Sequence, residues 1–192
     1  MRSSPRTPTR TPLLLLAVIV AACADTPAEP ALHGTVSQAG GRAAGQPVQA
    51  ALGPDFLAFV AQLRRSLAPF HRIELAASAG YDTRLTECME SEAGGMGYHY
   101  GDLGLLDGTV EPLKPELLLY EPGPGGKLRL VAVEYAVPYG AWTSPTPPAL
   151  EGVSFHRNDA FGLWILHVWT WKHNPAGMLE DWNPRVSCAF AA

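Results

Sequence analysis

Two strand-like segments of this sequence carry a titratable residue on an otherwise apolar face. In KLRLVAVEYAVP, strict alternation of side chains places Glu134 on the same face as Leu130 and Ala132. In FGLWILHVWTWKH, His167 shares a face with Ile165. A buried carboxylate without a partner is costly, so we expect Glu134 to be paired or to bind something.

A metal ion is one hypothesis for what these residues bind. A third titratable residue, His99, lies in the glycine-rich segment GGMGYHY, where we expect a short strand. If these strands are neighbours, His99, Glu134 and His167 can meet across the sheet. Two imidazoles and one carboxylate with open coordination positions suit zinc or non-haem iron. Three further residues are predicted as accessory to such a site: Met96, Tyr100 and His173.

The competing hypothesis is structural. A hydrogen-bonded network of His, Glu and Tyr side chains would hold the sheet together without any metal. The spacing matches no standard zinc signature, because the chain has neither an HExxH nor a CxxC motif. It also lacks the cupin pattern of two close histidines followed by a glutamate. The sequence leaves both hypotheses open.

Two other kinds of ligand site are compatible with the sequence. Met89, Met96 and His99 are thioether and imidazole ligands of the kind that suit copper, although methionines also fill gaps in cores. An organic ligand can lie against tryptophans, which also form the cores of small sheets. Alternation sets Trp164 opposite to Trp169 and Trp171, so the tryptophans cannot all line one groove. The full set is Trp142, Trp164, Trp169, Trp171 and Trp182. The chain has no GxSxG motif and no phosphate-binding loop.

The N-terminus has the pattern of a bacterial secretory signal. Arg2, Arg6 and Arg10 precede the apolar run LLLLAVIVAA, which is shorter than the roughly 20 apolar residues of a membrane span. The run ends in VAAC, which resembles a bacterial lipobox and implies cleavage before Cys23 and lipidation of Cys23. Several acyl chains make a stable membrane anchor. Ala24 stands where an Asp would hold a lipoprotein at the inner membrane, so the resemblance implies the outer membrane, facing the periplasm.

These features predict three parts of the chain. Residues 1–22 form a signal peptide, residues 23–53 form a lipidated cysteine and a flexible tether rich in Ala, Pro and Gly, and residues 54–192 form a single globular domain. Removal of the signal peptide takes three arginines and no acidic residue, so the net charge changes from −4 to −7. An acidic mature protein is a poor partner for nucleic acid, which leaves the membrane, an envelope protein or a small ligand.

The cysteines predict one disulfide. Lipidation uses Cys23, and Cys88 and Cys188 remain as an even pair in an oxidising compartment. A Cys88–Cys188 bond would close a loop of about 100 residues, for which the chain-entropy estimate is roughly 4–5 kcal/mol.

The order of the predicted elements indicates an α+β fold. Helical spacing of Phe56, Val60 and Leu63 predicts a helix, and Pro69 predicts a kink or the start of a second helix. Three strands follow, in ELLLYEP, KLRLVAVEYAVP and FGLWILHVWTWKH, together with the short strand at MGYHY. We therefore expect a kinked helix pair packed on a small antiparallel sheet of about three to five strands, with long irregular loops.

Several segments resemble a family of bacterial exported proteins and lipoproteins of uncharacterised function. They are GGMGYHY, PELLLYEP, LVAVEY, LHVWTWKHNPAGMLEDWNP and the closing VSC, and the resemblance as a whole spans residues 80–188. The resemblance implies no activity. We expect a non-catalytic binding or accessory domain on a membrane-anchored envelope lipoprotein. The alternatives are a metal-binding protein or metal-dependent enzyme, and a structural component of an envelope complex.

Overall fold

The computed structural model of the protein describes residues 52–192. Cys23, the predicted signal peptide and nearly all of the predicted tether lie outside these residues. Between residues 52 and 192, no helix is both long and apolar enough to cross a membrane.

The helical part is the predicted kinked pair. Helix α1 (Pro54–Leu67) starts with a proline in its first turn, where the missing N–H costs nothing. A 3₁₀ turn at Ala68–His71 contains Pro69, and α2 (Ile73–Ser78) follows. Gly80 adopts a positive φ of 109° after α2, as expected of a residue that ends a helix. The buried stripe of α1 consists of Phe56, Phe59, Val60, Leu63 and Leu67.

The sheet is larger than the predicted three to five strands. Seven strands form one antiparallel sheet in the order β1-β3-β4-β5-β9-β8, with β2 also paired to β3, and β6 and β7 form a separate hairpin. The strands are β1 (Thr83–Arg84), β2 (Met89–Ser91), β3 (Gly94–Gly101), β4 (Leu117–Pro122), β5 (Leu128–Pro138), β6 (Ala149–Leu150), β7 (Val153–Ser154), β8 (His156–Asn158) and β9 (Leu163–Val168). The unpredicted strands of the sheet have two or three residues each, too few to show a period of two.

A β-bulge corrects the predicted alternation in β5. Leu119 pairs with Ala132, but Tyr120 pairs with Leu130, so one extra residue stands in β5 at Val131. Leu130 therefore packs with the helix, whereas Val131 and Ala132 both lie on the opposite face. The prediction that Leu130 shares the face of Glu134 is wrong for this reason.

The sheet thus has two differently covered faces. The helical face packs against α1 and α2 and includes Leu118, Tyr120, Leu130, Val133, Tyr135, Leu166 and Val168. The open face carries His99, Leu117, Leu119, Ala132, Glu134, Ile165 and His167. β9 lies between β5 and β8 and its last four residues are buried, which accounts for the apolar residues on both of its faces.

The segment after β9 folds back over part of the open face. The predicted strand ends at Val168 rather than at His173, and two Asn-Pro turns follow. In each turn the asparagine side chain accepts the N–H two residues on: Ala176 to Asn174 at 3.0 Å and Arg185 to Asn183 at 2.9 Å. The Gly177 N–H also donates to the Asn174 carbonyl, which closes the first of these turns around NPAG.

Two contacts attach this C-terminal segment to the sheet edge. Asn183 and Gly95 exchange backbone hydrogen bonds of 3.0 Å. A side chain at Gly95 would collide with Val186, which explains the glycine at this point. The predicted Cys88–Cys188 disulfide is present, with the two Cα atoms 5.8 Å apart.

Candidate metal centre

His99, Glu134 and His167 converge on the open face. Glu134 of β5 is directly opposite His167 of β9 in the register, and His99 reaches toward Glu134 from β3, across β4. The Glu134 Oε2 atom lies 3.4 Å from His99 Nε2 and 3.6 Å from His167 Nε2. The side chains of His99, Glu134 and His167 are only 5%, 8% and 1% exposed. The meeting of these three residues, predicted from the sequence, is present.

Each imidazole is oriented by a partner at its other nitrogen. Thr86 Oγ1 lies 3.0 Å from His99 Nδ1, and Asp181 Oδ1 lies 3.0 Å from His167 Nδ1. These contacts turn both Nε2 atoms toward Glu134. Histidine ligands of metals are typically held at the second nitrogen in this way.

One nitrogen at the centre of the cluster has no hydrogen-bond partner. His167 Nε2 is buried and unsatisfied, and within residues 52–192 only one other buried side-chain atom, Thr170 Oγ1, shares this state. An unsatisfied buried polar atom costs about 1–3 kcal/mol. The 3.4 and 3.6 Å contacts to Glu134 are also longer than the roughly 2.8 Å of a charge-assisted hydrogen bond.

Burial and mutual charge interactions shift the pKa values of the three side chains. Burial, together with the nearby His167, lowers the pKa of His99 to about 3, so His99 is neutral. Burial raises the pKa of Glu134, and His167 opposes part of that rise. Burial also lowers the pKa of His167, but Glu134 and Asp181 outweigh this effect and raise it above 6.5. The raised pKa values of Glu134 and His167 favour a proton held between these two side chains in the metal-free cluster, and a divalent cation would displace that proton.

The donor set fits a divalent transition metal. Donor atoms bound to a tetrahedral zinc at about 2.0–2.2 Å lie about 3.3–3.6 Å from one another. The three donor atoms here all lie within 4.8 Å of one another, and two of the separations are 3.4 and 3.6 Å. A small movement of the two imidazoles completes the geometry, so His99, Glu134 and His167 could hold a metal.

No family model, curated protein or solved structure matches the chain. The assignment of this centre therefore depends on the positions and chemistry of its own side chains.

A cavity of about 610 Å³ opens onto the three side chains. Met89 and Met96, the methionines of the copper hypothesis, line the same cavity, as does Trp182. The cavity also borders Asp181, whose carboxylate bridges His167 and the half-exposed His156. His156 Nε2 lies 3.1 Å from Asp181 Oδ1, which connects the buried centre to the surface.

Two predicted accessory residues lie elsewhere. Tyr100 packs with the helical face, because alternation along β3 directs it away from His99. The predicted His–Glu–Tyr network therefore lacks its tyrosine. His173 is exposed and does not line the cavity, because the strand ends before it. The tryptophans do not share a groove either: Trp164 and Trp171 pack with the helical cluster, and Trp169 packs with the open face. Trp171 thus lies with Trp164, contrary to the alternation, since β9 ends at Val168.

The sequence did not identify the residues that orient the imidazoles. Asp181 stands between the two Asn-Pro turns, which return the chain to β9, and only this return brings Asp181 to His167. Thr86 lies between β1 and β2, where the sequence has no periodic pattern. Neither residue type is distinctive by itself, so no local signal marks them.

Proposed function

We propose that this domain binds one divalent transition metal, zinc or ferrous iron, through His99, Glu134 and His167, and presents that metal to a small-molecule ligand in the adjoining cavity. The observation that carries the proposal is the buried Nε2 atom of His167. It points at a buried carboxylate and a second oriented imidazole, yet it has no hydrogen-bond partner. A bound cation satisfies this nitrogen and offsets the buried charge of Glu134.

Metal titration of the chelator-treated protein tests this proposal. Zinc should bind with one equivalent, and His167→Gln should weaken zinc binding about 100-fold or more because a ligand and its oriented nitrogen are lost. His173→Gln is the matched control, since His173 is an exposed histidine outside the cavity. Equal zinc affinity of both variants, or binding lost in both, would contradict the assignment of the metal to this centre.

A metal-dependent enzyme is the second candidate function. Three protein ligands leave coordination positions open, and this arrangement is typical of catalytic rather than structural zinc sites. The Asp181–His156 pair gives a titratable path from the centre to solvent, with a separation of 3.1 Å. Turnover of a substrate by metal-loaded protein, lost in His167→Gln, would favour this candidate over simple ligand binding.

We place this domain on a lipoprotein of the bacterial cell envelope, anchored in the outer membrane through Cys23. The VAAC motif behind a basic and apolar leader supports this location. The Cys23→Ser variant should move from the membrane fraction to the soluble periplasm on cell fractionation. Wild-type protein that is wholly soluble, with an unmodified N-terminus, would contradict the anchor.

A further inference from the structure

The cavity beside the candidate metal centre has walls of mostly apolar side chains. Leu106, Leu117, Leu163 and Ile165 line it, in addition to the two methionines and Trp182. Nine of its lining residues are polar, and five of these form the metal centre or orient it: Thr86, His99, Glu134, His167 and Asp181. The other four lie on β8 and in the turn after it, where Arg157 and Asp159 form an ion pair with each other: His156, Arg157, Asn158 and Asp159. Its volume of about 610 Å³ is in the range of small-molecule pockets, roughly 300–1,000 Å³. The cavity therefore combines one polar end with an apolar body.

The rim of the cavity exposes two large apolar side chains. Leu85 is 40% exposed and Phe161 is 58% exposed, and both line the cavity. Phe161 belongs to the turn between β8 and β9, which holds it beside the entrance. Apolar side chains gathered at one entrance are typical of a surface that an apolar ligand covers.

The charge at the polar end selects the ligand's head group. With a divalent metal, two neutral imidazoles and the Glu134 carboxylate leave one net positive charge at the centre. Asp181 does not occupy an open coordination position, because its carboxylate contacts His167 at 3.0 Å and His156 at 3.1 Å. An anionic oxygen donor, such as a carboxylate, would fill an open coordination position and balance this charge.

We infer that the cavity binds a small amphiphilic organic anion, with its carboxylate-like head on the metal and its apolar body between the cavity walls and Phe161. This inference depends on the proposed metal centre. It goes beyond that centre because it specifies the class of ligand.

Calorimetric titration of the full chain, loaded with zinc, tests the inference with three probes. Octanoate supplies head and tail, acetate supplies the head alone, and 1-octanol supplies the tail alone. Octanoate should bind about tenfold or more tightly than acetate, since each methylene buried adds to affinity. Octanoate should also bind the zinc-loaded protein about tenfold or more tightly than 1-octanol does. Its affinity for the zinc-loaded protein should exceed its affinity for the chelator-treated protein by about tenfold or more. Octanoate that binds no better than acetate, or equally well without zinc, would overturn the inference.

A pair of phenylalanine variants locates the tail. Phe161→Ser should weaken octanoate binding several-fold and leave acetate and zinc binding unchanged. Phe190→Ser is the matched control: Phe190 is 54% exposed but lies outside the cavity, so octanoate binding should be that of the wild type. Leu85→Ser is a second variant at the rim of the cavity and should also weaken octanoate binding. Octanoate affinity unchanged in both rim variants would overturn the placement of the tail. A protein that binds no zinc at all would instead refute the proposed function.

Discussion

Helices α1 and α2 cover the helical face of the sheet, whereas an irregular C-terminal segment covers part of the open face. The two faces also differ in how their buried polar groups are hydrogen-bonded. On the helical face, the hydroxyls of Tyr81, Tyr120 and Tyr135 each donate to a backbone carbonyl. On the open face, the irregular C-terminal segment covers only part of the surface and leaves a cavity. His167 Nε2 remains unsatisfied there.

If the proposed function holds, this difference separates the face that stabilises the fold from the face that binds the metal. Buried tyrosines with satisfied hydroxyls add apolar contact without an unpaired group, so the helical face serves the core. The open face retains two imidazoles and a carboxylate in a place where a hydrophobic residue would pack better. In the proposed function, a bound metal completes this arrangement.

The largest expected effect is a loss of stability caused by a substitution on the helical face. Leu63 is fully buried in α1, so Leu63→Ala should lower the free energy of unfolding by about 3 kcal/mol through lost contacts and a cavity. Zinc stoichiometry of the folded variant should not change, because α1 lies on the other face of the sheet. Leu57→Ala, at a 44% exposed position of the same helix, is the control and should cost far less. Chemical denaturation with and without zinc measures both effects. A loss of zinc binding by folded Leu63→Ala would break the separation of the two faces.

The next effect tests the orientation of His167 on the open face. Asp181→Asn should weaken zinc binding about tenfold, because the amide is a poorer partner for the imidazole N–H and leaves the ring less basic. Asp159→Asn is a suitable control, since Asp159 also lines the cavity but its carboxylate contacts Arg157 and Tyr139 instead. Competition with a zinc chelator measures the two affinities. If both variants bind zinc as the wild type does, Asp181 does not orient the metal ligand.

The smallest effect concerns a buried carboxyl away from the three proposed ligands. Burial raises the pKa of Glu116 from 4.5 to about 8, although its carboxylate accepts a hydrogen bond from the Ala136 N–H. The folded protein therefore holds this proton more tightly than the unfolded chain, and the resulting stability is present at low pH and is lost as the pH rises through about 8. The free energy of unfolding of the wild type should fall by about 1 kcal/mol between about pH 6 and pH 7 because of this carboxyl, and Glu116→Gln should abolish that fall.

Chemical denaturation of the metal-free protein across this pH range measures the decline. The exposed Glu92 provides the control variant, Glu92→Gln, which should keep the wild-type slope. A wild-type slope in Glu116→Gln would show that the carboxyl is already ionised at neutral pH.

The parts of the fold that the sequence predicted are those with a repeated local signal. The stripe of α1 and the alternation along β5 indicate these elements, and a titratable residue inside an apolar strand indicates His167 and Glu134 as special. The bulge at Val131 carries no such signal, so the predicted face of Leu130 was wrong. The short strands depend on pairing with neighbours that are distant in sequence.

The candidate site shows the same limit. His99, Glu134 and His167 were predicted because histidine and glutamate are conspicuous in apolar strands. Asp181 and Thr86 lie in irregular segments, and their contacts with the imidazoles arise from the return of the chain, which no local pattern encodes. Tyr100 was wrongly predicted as an accessory residue because it lies on the other face of β3. His173 was wrongly predicted because β9 ends before it.

Elemental analysis of untagged protein, purified without chelators, tests the central claim most directly. We expect close to one equivalent of a single divalent transition metal per chain in the wild type. The metal should be lost when His167 is replaced by glutamine and retained when His173 is replaced. Only substoichiometric traces of every transition metal in the wild-type protein would contradict it, and His99, Glu134 and His167 would then be a buried structural cluster.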